Sequence, residues 1–184
     1  MKLMFASDIH GNAYFCNKLK ETYNKEQPEK LILLGDLLYN KSLLSFGRNN
    51  ERQKTAGILN DLMDYIIAVR GNCDTDLDQA LLYFPIMSDY KKLNVDGYEF
   101  FITHGHLYNK YHLPPSDKKV ILIHGHTHVP CIENTKEYIY LNPGSISDPR
   151  EGNPNTYMIY ENNEFIIKDL EGNEFKSINL DECY

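Results

Sequence analysis

Apolar residues in this chain come in short runs, and the runs end on polar residues of a restricted kind. The first, within MKLMFASDIHGN, gives way to Asp8 and His10. LILLGD ends on Asp36, IIAVRGN on Asn72, FFITHGH on His104 and His106, and VILIHGHTH on His126 and His128. Runs of this length bounded by turn residues read as buried strands. Side chains two apart on a strand point the same way, so Asp8 and His10 are expected to emerge together where Gly11 ends the first strand. One Asp after a strand is more often a helix cap or a turn residue. Five such exits point to a shared site.

Between the runs the period changes. Asn12 is placed to cap a helix carrying Phe15, Leu19 and Tyr23, with Pro28 beyond its end. Residues 31–34 read as the second strand, and Gly35 lets the backbone turn beside Asp36. Residues 39–52 are polar and read as a loop over one side of the strand exits, either a substrate contact or a plain surface loop. Ile58, Leu59, Leu62, Met63 and Ile66 line one face of a helix, and residues 66–69 form the third strand. Alternating strand and helix predicts a parallel sheet with right-handed crossovers, whose ligands gather at the carboxyl ends of the strands. Residues 76–84 read as a short helix. Residues 93–95 and 98–103 read as a hairpin about Asp96-Gly97. Further strands are expected at 120–123, 138–141, 157–160 and 165–169, with turns at Asn162-Asn163 and Gly172-Asn173. The expected class is α/β with two sheets, one fed by helices and one mostly by hairpins, in a single domain over residues 1–184.

Charge narrows the partners. A net charge of -7 argues against the broad basic face that polymeric nucleic acid or an anionic membrane requires. No apolar run approaches membrane-spanning length, and no signal-type core precedes Asp8, so a cytoplasmic location is expected. The cysteines, Cys16, Cys73, Cys131 and Cys183, show neither zinc-knuckle spacing nor disulfide density, which fits a reducing compartment. A homodimer is a prior only.

The candidate metal ligands are Asp8, His10, Asp36, Asn72, His104, His126 and His128. Oxygen and nitrogen donors without thiolate suit Mn, Fe, Zn or Co. Seven donors exceed the needs of one four-coordinate ion, whereas two ions sharing a carboxylate would use them all. Two divalent ions against Asp8, Asp36 and a bridging hydroxide leave the pocket positive inside an acidic protein, which selects a phosphate ester. Such a pair can hold both the attacking and departing oxygens, and can lower the pKa of water to about 7, supplying a hydroxide nucleophile.

DIHGN, GDLL, RGNCD, THGH and GHTH, in that order, resemble the calcineurin-like metallophosphoesterases; RGNCD, THGH and NPGS with PREGNP resemble the YfcE type of bacterial phosphodiesterase within them. The resemblance spans residues 8 to 155. It implies a four-layer αββα sandwich of two mixed sheets flanked by helices. It also implies Asp8, His10 and His128 at one metal, Asn72, His104 and His126 at the other, and Asp36 bridging. The implied cofactor is a pair of divalent ions, manganese first, with iron, zinc, cobalt or nickel as alternatives. The implied reaction is hydrolysis of a small-molecule phosphodiester. A phosphomonoesterase or nucleotidase is the near alternative, and a partner-binding scaffold on the same fold, like the retromer subunit, the distant one.

One position departs from the family pattern. Cys73 stands where much of the family has a histidine thought to assist the leaving group. A thiol is a poor cationic proton donor, so diesters are expected to be favoured over monoesters. Cys73 as a covalent nucleophile is the rival reading, disfavoured because no Cys-His base pairing is evident. His106 is a candidate proton donor or hydrogen-bond partner of the ligands. His124 and Thr127 read as structural, His112 as a solvent-exposed loop residue, and Asn12 as a cap or a phosphate contact. Arg70 and Arg150 are candidate phosphate contacts, with a salt bridge as the alternative for Arg70. Residues 142–145 read as a tight turn lining the site.

Overall fold

The computed structural model describes residues 1–39 and 49–183. Strand and helix alternate at first, as β1 (Leu3–Ala6), α1 (Ala13–Glu26), β2 (Lys30–Leu33), α2 (Asn49–Asn60) and β3 (Ile66–Ala68). β1 pairs parallel with β2, and β2 with β3. All four residues of β1, LMFA, are buried, the continuous apolar run that a sheet covered on both faces demands. The Asn12 side chain accepts from the Phe15 N–H at 3.2 Å at the start of α1. Gln27 ends that helix in the left-handed region at φ 53°.

Two helix boundaries differ from expectation. α2 begins at Asn49, so the end of the expected loop over 39–52 is helical, while residues 40–48 lie outside the described residues. It also stops at Asn60, short of Leu62, Met63 and Ile66, and a 3-10 turn over Met63–Tyr65 leads into β3. Asn60 and Asp61 are weak helix formers that compete with the backbone for hydrogen bonds. The Asn60 amide donates to the Leu81 carbonyl at 2.9 Å. The helix expected over 76–84 is four residues long, α3 (Asp76–Gln79), opened by a capping box between Thr75 and Asp78. Pro85 disfavours helix at the residue before it.

The remaining strands are β4 (Tyr90–Val95), β5 (Tyr98–Thr103), β6 (Val120–Ile123), β7 (Cys131–Asn134), β8 (Tyr138–Asn142), β9 (Thr156–Glu161), β10 (Glu164–Asp169) and β11 (Glu174–Asn179). They complete a six-stranded sheet, ordered β11-β10-β9-β1-β2-β3, and a five-stranded sheet, ordered β4-β5-β6-β8-β7. The division into a helix-fed sheet and a hairpin sheet is corrected here. β5, β6 and β8 are mutually parallel, because residues 104–119 form a connection long enough for a crossover. The late hairpins extend the first sheet instead, through β9 running antiparallel to β1. Both sheets are therefore mixed. β7 and β11 were not expected as strands; both are partly exposed edge strands whose sequences, CIEN and EFKSIN, lack an apolar run.

The sheets meet through two inner faces. Leu3, Phe5, Ile32 and Leu34 face Phe100, Ile102, Ile121 and Leu141 in one buried cluster. There Phe100 lies edge-on to Tyr160 at 5.0 Å and tilted against Phe165 at 5.2 Å between ring centroids. The alternate residues Met4, Ala6, Leu31 and Leu33 pack outward against Cys16, Leu19, Ala56 and Leu59 of the two long helices. On the far side, Tyr108 and Leu113 cover Phe101, Leu122 and Tyr140; the connection that carries them has no assigned helix. No helix among the described residues is long and apolar enough to cross a membrane.

Candidate metal centre

The exits of β1, β2, β3, β5 and β6 carry all seven candidate ligands to one end of the sandwich. Asp8 and His10 do not lie on β1, which ends at Ala6, so strand alternation is not what aligns them. They sit instead in the left-handed region, at φ 56° and 50°, and Asp36, His126 and His128 do the same at 55°, 66° and 62°. Asp and His tolerate this conformation better than most residues. Its cost, about 1 to 3 kcal/mol per residue, is borne only where surrounding structure enforces it. Three backbone hydrogen bonds lock the first two exits together: Asp8 N–H to Gly35 O at 3.1 Å, His10 N–H to Asp36 O at 2.9 Å and Gly11 N–H to Leu37 O at 2.9 Å. Gly71 allows the third exit to close on them, since a Cβ there would collide with the Asp36 backbone and carboxylate.

The side chains converge as two overlapping groups. Asp8, His10 and His128 present ligand atoms within 4.8 Å of one another, and so do Asp8, Asp36 and His104. Asp36 Oδ2 lies 3.9 Å from His10 Nε2 and 3.5 Å from His104 Nε2, between the groups. His104 Nε2 is 3.0 Å from Asn72 Oδ1 and 3.2 Å from His126 Nδ1.

Three histidines are fixed from behind. Their Nδ1 atoms meet backbone carbonyls: His10 meets Tyr39 O at 2.9 Å, His104 meets Leu34 O at 2.7 Å, and His128 meets Asp148 O at 2.6 Å. A carbonyl only accepts, so each Nδ1 carries a hydrogen, and in the neutral form of each ring Nε2 presents a bare lone pair. Yet His10 Nε2 and His128 Nε2 face each other at 3.3 Å, and Asp8 Oδ1, buried beside them, has no hydrogen-bond partner. Acceptors turned on acceptors require a proton or a cation between them. Backing of ring nitrogens by carbonyls is the usual support of metal-ligating histidine, and the donor set fits divalent ions.

These groups open onto a cavity of about 510 Å³ lined by His10, Asp36, Asn72, Cys73, His126 and Arg150. Residues 1–164 match the model of the calcineurin-like phosphoesterase superfamily domain. The chain is 39% identical over 162 residues to phosphodiesterase YfcE of Escherichia coli strain K12, covering 88% of each. The chain belongs to the calcineurin-like phosphoesterase superfamily. The solved structure of YfcE, a phosphoesterase from E. coli, superposes on it with a TM-score of 0.90 at 35% identity, covering 97% of this chain and 99% of that one. Phosphodiesterase MJ0936 of Methanocaldococcus jannaschii is 27% identical over 151 residues, 78% of this chain and 83% of its own. Membership of this metallophosphoesterase superfamily implies divalent metal ions.

Around the converged side chains, electrostatics and hydrogen bonds are specific to position. Burial raises the pKa of Asp8, but the His10 and His128 rings beside it and the nearby His104, which would carry positive charge when protonated, outweigh it and hold the carboxyl below its ordinary range. Asp36 follows the same balance, with His104 and the Cys73 N–H as its partners. Burial disfavours charge on His10 and His104, yet Asp8 and Asp36 raise both. His126, with burial and His104 both opposing its charge, is lowered.

Sequence reasoning assigned no role to several residues that shape the centre. Asp74 accepts from the N–H groups of Asp36, Leu37 and Gly71 at 2.9, 2.9 and 2.8 Å, tying the second exit to the third. Ser7 Oγ donates to Asp8 Oδ2 at 2.6 Å, and the His126 N–H does so at 2.9 Å, joining the two sheets. Ser147 Oγ donates to the Ile9 carbonyl at 2.8 Å. Only Asp74 had a signal, its place in RGNCD.

The other candidates divide. Arg150 and Asn12 line the cavity, and Asn12 also caps α1. Arg70 pairs with Asp89 at 2.8 Å. His106 stands 5.5 Å from His104 between ring centroids, and its buried Nδ1 has no partner. Burial, Asp36 and Asp74 push the Cys73 thiol up to about 12, unlike an activated nucleophile. Ser145 Oγ, in the turn after β8, donates to the Asp8 carbonyl at 2.8 Å. His112 is exposed, with Nδ1 at 2.8 Å from Leu107 O. Thr127 Oγ1 accepts from Asn142 at 3.0 Å. His124 is buried edge-on against Tyr140 at 4.7 Å, and burial holds its pKa down at about 4.

Proposed function

We propose that this protein is a phosphodiesterase that hydrolyses small-molecule diesters with two divalent cations. Asp8, His10 and His128 hold one, Asn72, His104 and His126 the other, and Asp36 lies between them. The observation that carries the reading is the 3.3 Å approach of two ring nitrogens, each with its other nitrogen held by a carbonyl, beside the unpartnered Asp8 carboxylate oxygen. Bound there, such a pair would supply positive charge to phosphoryl oxygens and, by lowering the pKa of a water to about 7, a hydroxide nucleophile for phosphorus. Manganese is the preferred ion, with iron, zinc, cobalt and nickel as rivals.

The chain's own residues orient and select. The carbonyls of Tyr39, Leu34 and Asp148 hold His10, His104 and His128 in one tautomer. Arg150, on the cavity wall, offers a guanidinium to a non-reacting phosphoryl oxygen. His106, its ring 5.5 Å from that of His104 between centroids, stands beside the centre as a proton donor. Cys73 supplies no cationic donor, which favours diesters with good leaving groups over monoesters. Replacing Cys73→His should raise monoester relative to diester hydrolysis several-fold, and an unchanged ratio would count against this role.

Four free cysteines among the described residues accord with a cytoplasmic location. Hydrolysis of bis(para-nitrophenyl) phosphate with manganese, loss on chelation and recovery on adding the metal back would support the phosphodiesterase. No turnover with any of several divalent metals would favour a scaffold on the same fold.

A further inference from the structure

Asn72 reaches the centre from an exposed position, whereas its neighbours His104 and Asp36 are buried. A primary amide can meet a cation only through its oxygen, yet its two ends have nearly the same shape. Something must fix which end faces inward. Asn72 Oδ1 lies 3.0 Å from His104 Nε2. The Nδ1 of that ring donates to the Leu34 carbonyl at 2.7 Å, so Nε2 of the neutral ring is an acceptor, and metal binding requires the neutral ring. The amide oxygen thus faces a lone pair, where the amide nitrogen would make a hydrogen bond. The orientation that suits a cation is the one that the ring alone disfavours.

The other end of the amide supplies the counterweight. Asn72 Nδ2 donates to Cys73 Sγ at 3.2 Å. Cys73 is itself clasped to the carboxylate between the two donor groups: its N–H donates to Asp36 Oδ1 at 2.9 Å, and the thiol hydrogen is drawn to the same carboxylate. With that hydrogen engaged, the sulfur meets Asn72 through a lone pair and so favours Nδ2 over Oδ1. We propose that Cys73 is a positioning residue, whose sulfur turns the Asn72 carbonyl oxygen toward the cation that His104 and His126 also hold. The inference rests on the two-ion reading above and gives Cys73 a part in holding metal, separate from its effect on the leaving group. Sulfur is a weak acceptor, so the effect is a severalfold change in affinity rather than loss of the site.

Stepwise titration of the metal-stripped full chain with cobalt, read by visible absorption and by calorimetry, tests this without turnover. If the wild type takes up fewer than two ions, the two-ion reading fails and the inference falls with it. Where two steps are seen, Asn72→Ala identifies the step to which Asn72 contributes, as the one it weakens more. For that step Cys73→Ala should raise the dissociation constant about threefold to tenfold, the worth of one hydrogen bond. Cys73→Ser brings a hydroxyl that can donate to Asp36 and accept from Asn72, and should restore the wild-type value to within about twofold. Asn72→Asp has two equivalent oxygens and nothing to orient, so adding Cys73→Ala to it should leave its affinity unchanged. A loss transmitted through Asp36, or through packing around the site, would instead weaken binding equally with and without Asn72→Asp. Equal losses in the two backgrounds, unchanged affinity in Cys73→Ala, or no recovery in Cys73→Ser would overturn the positioning role.

Discussion

The space between the two sheets and the loops at their carboxyl ends are built from the same strands under opposite rules. Between the sheets, Phe5, Ile32, Phe100, Ile121 and Leu141 are almost fully buried and apolar. Just past the ends of the strands, Asp8, Asp36 and His104 are as deeply buried but charged or polar. Five of the seven candidate ligands there hold left-handed backbone. One region lowers the free energy of the folded chain by removing apolar surface from water. The other raises it through strain and through acceptors facing acceptors. The contrast teaches that the centre is held in place by the core and is stabilised internally only by what binds between its donors.

That contrast can be broken residue by residue. Asp36→Asn keeps an oxygen for the Cys73 N–H, which Asp36 Oδ1 accepts at 2.9 Å, and removes the charge between the clusters. Diester turnover should fall about a thousandfold or more, equivalent to about 4 kcal/mol of barrier, while the metal-free protein should lose only the modest stability that the depressed Asp36 pKa represents. Parallel kinetics and thermal melts check it; a large loss of stability would mean that the centre supports the fold. Phe100→Ala makes the converse change. Urea unfolding should show a loss of about 3 to 5 kcal/mol, with kcat of the remaining folded enzyme nearly unchanged.

A smaller effect separates surface charge from both regions. Burial opposes ionisation of Glu26, but hydrogen bonds from Lys2, Lys168 and Tyr157 outweigh it and hold the carboxyl at about 2, against an ordinary 4.5. A carboxylate depressed in the folded state stabilises it above the unfolded pKa, and this is lost as pH falls from near 5 toward 2. Glu26→Gln should therefore cost about 1 to 2 kcal/mol at pH 7, after allowance for solvent screening. Denaturation at pH 7 and pH 3 should show the difference between the two proteins shrinking at the lower pH.

Much of the centre was legible because its donor types stand at strand ends, where sheet topology must bring them together. Asp8, Asp36, Asn72, His104 and His126 each follow a different strand. The manner of convergence was not legible. Strand alternation misplaced Asp8 and His10, since a left-handed turn leaves no mark beyond residues that tolerate it. Nor could sequence show that the carbonyls of Tyr39, Leu34 and Asp148 fix the imidazoles, because a carbonyl is the same at every position. The pairing of β5, β6 and β8 was missed for a related reason: a crossover without an assigned helix reads as a loop between hairpins. β7 and β11, as polar edges, had little apolar pattern to show.

Metal content decides the central claim. Purified protein, stripped of metal and dialysed to equilibrium against manganese, should retain two ions per chain by elemental analysis, and His128→Ala should lower that number. Two ions lost together on chelation, with diester turnover lost in step, is the expected result. Retention of no manganese, or of a single ion unaffected by His128→Ala, would contradict it.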